Sequence, residues 1–155
     1  MANLSSSPVE DVAARQRWMG VLARAGADEI AQRLRDAPAL PSHTRLRGPE
    51  IGLVMARGRQ GGDGAPFNLG EITVTRCAVA VGGGHVGHAY VAGHDLRKAE
   101  LAAALDAALQ DPSLRPALLH AVVEPLAAAQ AERAARTARK AAATRVDFST
   151  LAVMR

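Results

Sequence analysis

The sequence predicts an α+β fold, and three observations carry that reading. Apolar residues recur three and four apart near the N-terminus, strict alternation runs through the middle, and four-residue spacing returns after Asp95. An N-terminal helical hairpin, a small antiparallel β-meander, covering helices and a long C-terminal Ala/Arg-rich helix are expected in that order. The 155 residues are long enough for one core, and 48% hydrophobic with 22% charged lies far from compositions that stay disordered. A single domain over residues 1–155 is therefore expected, with residues 1–9 as a flexible Ser-rich leader and residues 126–155 as a C-terminal arm.

From Glu10 to Ala25, Trp18, Val21, Leu22 and Ala25 fall at i, i+3, i+4 and i+7, one face of a helix that Gly26 should stop. Asp28 is placed to cap a second, short helix carrying Ile30 and Leu34, which Pro38 and Pro41 terminate. From Thr44 the period becomes two. Ile51, Leu53 and Met55 alternate along a strand expected to run out into a loop, Gly58 to Gly64. In the next strand Ile72, Val74, Ala78 and Ala80 share one face and Thr73, Thr75, Cys77, Val79 and Val81 the other, so this strand is expected to be central or covered. Gly82, Gly83 and Gly84 make a turn, and Val86 to Ala92 reads as a third strand paired antiparallel to the second.

Asp95 stands at a helix N-cap, and Leu101, Leu105 and Leu109 repeat at four-residue spacing until Asp111 and Pro112; this helix should cover the sheet. A short helix follows through Leu114, Leu118, Leu119 and Val122, broken or restarted at Pro125. Between Ala127 and Arg145 there is no Leu, Ile, Val, Met or aromatic residue, only alanine with Arg133, Arg136, Arg139 and Lys140 at roughly helical spacing. Alanine propensity alone favours a rod of about 28 Å, yet one without an apolar stripe to seat it on its own domain. It reads as an arm for a partner, the plainer alternative being a solvated, fraying end. The closing RVDFSTLAVM turns apolar again, which favours burial.

The formal charge of +4 comes almost wholly from arginine, since Lys98 and Lys140 are the only lysines. Arginine suits carboxylates and phosphates, although an Ala- and Arg-rich chain also reflects GC-rich coding. Cys77 is the single cysteine, so no intrachain disulfide and no cysteine-based zinc site can form within the chain. No basic start precedes a long apolar run, and no stretch approaches the ~20 apolar residues of a membrane span. A cytoplasmic protein without a membrane partner is expected.

The glycine-rich stretch GRQGGDGAPFNLGE, flanked by Arg57 and Arg59, invites a phosphate-cradle reading. It lacks the GxxxxGK[ST] spacing and leads into a strand rather than a helix, so a plain hairpin loop is favoured. His85, His88 and His94 form the only histidine cluster, but strand parity sends His85 to the opposite face, and no metal site is expected. Cys77 lies in an alternating β-run that predicts burial rather than nucleophilic reactivity. Glu50, Asp63 and Glu71 are scattered around turns without the spacing of an acid–base pair. Trp18, Phe67, Tyr90 and Phe148 are the only aromatics, and packing roles are expected for Trp18 and Phe67, so base-stacking platforms are scarce and nucleic acid is not an expected partner. The residues alone leave open a small Arg-rich module for a phosphate ligand or nucleic acid, and a stand-alone phosphotransferase.

Four segments together cover most of the chain: RQRWMGVLA from Arg15, GLVMARGRQGGDGAPFNLGEITVTRC from Gly52, GHVGHAYVAGHDLRKAELAAALDA from Gly84, and RVDFSTL from Arg145. In this order they resemble the PhnG family, the G subunit of carbon–phosphorus lyase. The most specific block is Gly62, Gly64, Phe67, Asn68, Leu69, Gly70, Glu71, Thr73, Thr75 and Arg76. The resemblance implies a non-autonomous subunit of a cytoplasmic core complex with H, I and J subunits, two copies of each, in organic phosphonate catabolism. In that scheme G, H and I, with an ATPase-like L subunit, displace adenine from ATP by a phosphonate. Nucleosidase-like chemistry falls to I, and the later bond cleavage to J with its iron–sulfur cluster and S-adenosylmethionine. This chain would then hold no cofactor, ATP being a substrate of the complex, and would act mainly in assembly. Arg57, Arg59, Asn68 and Arg76 are the candidate donors to phosphate or to a partner carboxylate, with Gly62, Gly64 and Glu71 as further substrate or interface candidates; a glycine turn keyed into the I subunit is the alternative.

Overall fold

The computed structural model describes residues 8–146, so residues 1–7 of the Ser-rich leader and the RVDF segment from Asp147 onward lie outside the described residues, while Pro8 and Val9 begin the first helix. Helices α1 (Pro8–Arg24) and α2 (Ala27–Leu34) precede strands β1 (His43–Arg59), β2 (Pro66–Val81) and β3 (Val86–Ala92). Helix α3 (Leu96–Leu109) follows, then α4 (Arg115–Leu118), a π turn (Leu119–Val123) and α5 (Glu124–Ala143). The strands form one antiparallel sheet in the order β1-β2-β3. The α+β class, the meander and the long C-terminal helix are as the residue pattern predicts.

Helix α3 sits at the centre because it is apolar nearly all round: Ala99 and every residue from Ala102 to Leu109 are buried. Its N-terminus is capped as expected, with the Asp95 carboxylate accepting from the Lys98 amide at 2.9 Å. One side of α3 packs on Cys77, Val79, Val81, Ala89 and Val91 of the sheet, while α1 and α2 contribute Trp18, Val21, Leu22 and Ile30 to the same core. The cap of α2 differs from expectation. Gly26 takes the N-cap position and Glu29 reaches back to its amide at 2.9 Å, while Asp28 lies inside the first turn and pairs with Arg97 at 2.7 Å. A glycine at the cap leaves the amide open to the acid three residues on.

Strand β2 meets its expectation, and the C-terminal helix departs from its own. It is the central strand: Thr75, Cys77, Val79 and Val81 of β2 are buried on one face, and on the other Val74 is buried while Arg76, Ala78 and Ala80 are half-buried beside Glu50 and Tyr90. The helical core packs on the side of Cys77, Val79 and Val81. The C-terminal helix, expected to lack a seat, docks its first half by polar contacts. Gln130 donates to the Val21 carbonyl at 2.9 Å and accepts from Arg24, and Arg133 meets Glu29 at 2.5 Å, with Leu126 buried beneath. Beyond Arg133 the helix is exposed as far as it is described. Pro125 restarts the helix: it occupies the first turn of α5, where its missing N–H costs nothing, just after the π turn has absorbed the irregularity.

Candidate functional site

The candidate residues lie along a two-stranded ribbon. The stretch expected to be a glycine loop is mostly strand, because β1 continues to Arg59 and β2 resumes at Pro66, leaving a turn of residues 60–65. β3 pairs with β2 only from Val74 onward, so β2 residues 66–73 and their β1 partners run past the three-stranded sheet as a bare hairpin. A register irregularity between Ala56 and Arg57 gives Leu69 no partner of its own and brings Asn68 opposite Arg57.

At the tip, Arg57, Gly58, Arg59, Gly62 and Pro66 surround an open depression. The glycines are accounted for by the turn. Gly61 and Gly62 have φ of +65° and +90°, and Gly64 donates to the Gln60 carbonyl at 3.0 Å so closely that a Cβ would sit 2.7 Å from that oxygen. Arg59 folds back to donate to the Gly64 carbonyl at 3.0 Å, whereas Arg57 has no hydrogen-bond or ion-pair partner among the described residues. Asn68 thus joins the tip, and Glu71 stands opposite Met55 farther down.

Arg76 belongs elsewhere, about 26 Å from Asn68 along β2 at ~3.3 Å per residue. It donates to Glu50 at 2.6 Å, and Arg47 approaches the same carboxylate at 3.2 Å. Tyr90, foremost, and Glu50 strengthen the hold of the Arg76 guanidinium on its proton. The seven candidate residues therefore form a tip group and a sheet-face group rather than one pocket. Phe67, expected to pack, is 46% exposed on the ribbon with Ile51, Leu53, Met55, Leu69 and Ile72.

No group of three or more His, Cys, Asp or Glu placed to hold a metal occurs among the described residues. Cys77 is buried, its thiol donates to the Arg47 carbonyl at 3.4 Å, and desolvation pushes its pKa up, all of which keeps it a thiol. No helix of the described residues is long and apolar enough to cross a membrane.

The most connected polar group escaped the sequence reading. Asp106, fully buried in the middle of α3, accepts from Arg15 Nε and Nη2 at 3.1 and 2.7 Å, from Trp18 Nε1 at 2.9 Å and from the His88 amide at 2.9 Å. Its one signal was a carboxylate inside the run AAALDAAL. Gly87 lies beside it, where a Cβ would overlap the Ala103 carbonyl oxygen and lie 2.5 Å from the Ala107 amide nitrogen. The RQRW segment, the GHVGHAY segment and the LDA segment thus meet at one carboxylate.

These same segments fall within the match to known proteins. Residues 13–153 match the family model described as phosphonate metabolism protein PhnG. The alpha-D-ribose 1-methylphosphonate 5-triphosphate synthase subunit PhnG of Rhizobium meliloti (strain 1021) is 44% identical over 140 residues, 90% of this chain and 89% of that protein. With a family match of that extent, and a relative so similar along nearly its whole length, this chain belongs to the PhnG family of phosphonate metabolism proteins.

Proposed function

We propose that this protein is the G subunit of an alpha-D-ribose 1-methylphosphonate 5-triphosphate synthase, assisting transfer of a phosphonate to the ribose of ATP with release of adenine. The observation that carries the reading is the 44% identity to a synthase subunit across nine-tenths of the chain. Its partners in this reading are the H, I and J subunits, two copies of each, joined by L for the ATP-dependent step, in the cytoplasm. ATP and phosphonate are substrates of the assembly, and the contribution of this chain is chiefly architectural. Two features support that division of labour. The one buried acid among the described residues, Asp106, is committed to Arg15 and Trp18, and the sole cysteine is a buried thiol. Any contact with phosphate falls to Arg57, Arg59 and Asn68 at the ribbon tip, where a forked guanidinium can hold two oxygens.

The test is reconstitution. Purified H, I and L with this chain should release adenine from ATP in the presence of methylphosphonate, followed by chromatography. Leaving this chain out should abolish release, and this chain alone should release none. Equal release without it would overturn the proposal.

A further inference from the structure

The two outer edges of the sheet are treated differently. The β3 edge is bridged over its first half: Asp106 accepts from the His88 amide at 2.9 Å, and Arg15 and Gln110 donate to the Val86 carbonyl at 3.1 and 2.8 Å. Among the described residues, the outer edge of β1 has no strand beside it, and β2 residues 66–73 lack one where β3 ends. Free edges are where proteins normally place charge or a cover, because the row of unpaired backbone groups recruits other strands. Here the open ribbon carries large apolar residues instead. Ile51, Leu53, Met55, Leu69 and Ile72 are 47–64% exposed, and the first three continue, past the end of the helices, the sheet face that α3 covers.

From this ribbon we infer a docking element whose occupant is a companion subunit presenting an apolar strip bordered by Asp or Glu side chains; the inference rests on the reading of the chain as a synthase subunit. Charge selects that occupant over a second copy. Strand β1 carries Arg45, Arg47, Arg57 and Arg59 against a single acid, Glu50, which Arg76 and Arg47 already engage. Two β1 edges paired antiparallel about their middles would set Arg57 of each opposite Arg45 of the other, whose own carboxylate partner, Glu100, is already engaged, so a second copy brings Arg57 a cation and no free acid. A partner with carboxylates instead meets Arg57, which has no partner among the described residues, and the strip from Ile51 to Met55 is covered. The exposed edge further allows the partner to add a strand, with main-chain hydrogen bonds giving affinity and the arginines register.

The experiment uses the full chain co-expressed with H, I and J, the tag on the I subunit, and measures how much of this chain is recovered. Leu53→Asp, at a position already 61% exposed, should keep the circular dichroism and thermal midpoint of the wild type in isolation, yet lose at least tenfold in recovery. The pair Arg57→Glu and Arg59→Glu should lose recovery too, while the wild-type complex weakens as salt rises. In the wild-type complex, amide hydrogen exchange along 51–58 and 67–72 should slow relative to the isolated chain. Recovery of both variants at the wild-type level, or unchanged exchange on assembly, overturns the inference while leaving the subunit reading standing. An isolated wild-type dimer that Leu53→Asp dissolves overturns it as well, by giving the ribbon to a second copy. Failure of the wild type itself to be recovered removes the subunit reading and this inference together.

Discussion

A fully buried carboxylate such as Asp106 survives in a protein interior only because each oxygen is met by donors, two from Arg15, one from Trp18 and one from the His88 backbone. Removing one side of such a pair strands the other, so Asp106→Ala should cost about 3–5 kcal/mol in chemical denaturation. Asp106→Asn should cost less, since an amide oxygen still accepts from Trp18. Gly87 makes the complementary case. Any side chain there meets α3 backbone rather than a side chain that can swing away, so Gly87→Ala should destabilise by about 1–3 kcal/mol or more, read as a lowered thermal midpoint. Neither residue stands out by composition. One is a lone acid in an alanine run and the other one of fourteen glycines, and what distinguishes them is the closeness of α3 to β3.

Among the elements, the ribbon and α5 show how far periodicity reaches. Alternation located β1 and β2, but the residues from Pro66 to Glu71 do not alternate apolar with polar and were read as loop; pairing with β1 extends them regardless. Alternation also cannot say what lies opposite a face, so Ile51, Leu53 and Met55 look like core residues and are exposed. Helix α5 inverts the lesson. It has no apolar stripe to seat it, yet Gln130 and Arg133 hold its first half by polar contacts. Its second half rests on alanine propensity and on local pairs such as Arg136 with Glu132. Ala138→Pro should therefore lower the helical signal in circular dichroism while leaving the unfolding free energy of the core, from chemical denaturation, within about 0.5 kcal/mol of wild type.

On the scale of the whole molecule, two ion pairs tie distant elements together and make stability depend on acid. Glu100 on α3 accepts from Arg45 of β1 at 2.7 and 2.8 Å, and Glu29 on α2 meets Arg133 of α5. The Arg45 hydrogen bonds hold the Glu100 carboxyl below its usual pKa, and the Arg133 hydrogen bond, then the Gly26 amide, does the same for Glu29. A lowered folded pKa means that the folded state binds fewer protons than the unfolded chain. Both contributions are therefore fully present above the unfolded value of 4.5 and are lost as pH falls through the folded values. Denaturation midpoints should fall from pH 6 toward about pH 3.5, and the Glu29→Gln, Glu100→Gln double variant should fall less steeply. The sequence by itself determined the α+β class, the three strands and their order, the Asp95 cap, the buried thiol and the membership of the PhnG family, because periodicity, turn residues and long specific segments are properties of neighbours along the chain. Only the tertiary structure decided that the candidate residues divide between a ribbon tip and a sheet face, that Asp106 gathers three segments, and that side chains bridge the β3 edge at Val86 and His88 while no described strand borders the outer edge of β1. Those outcomes depend on which elements end where in space, and a chain read residue by residue carries no record of where its neighbours stop.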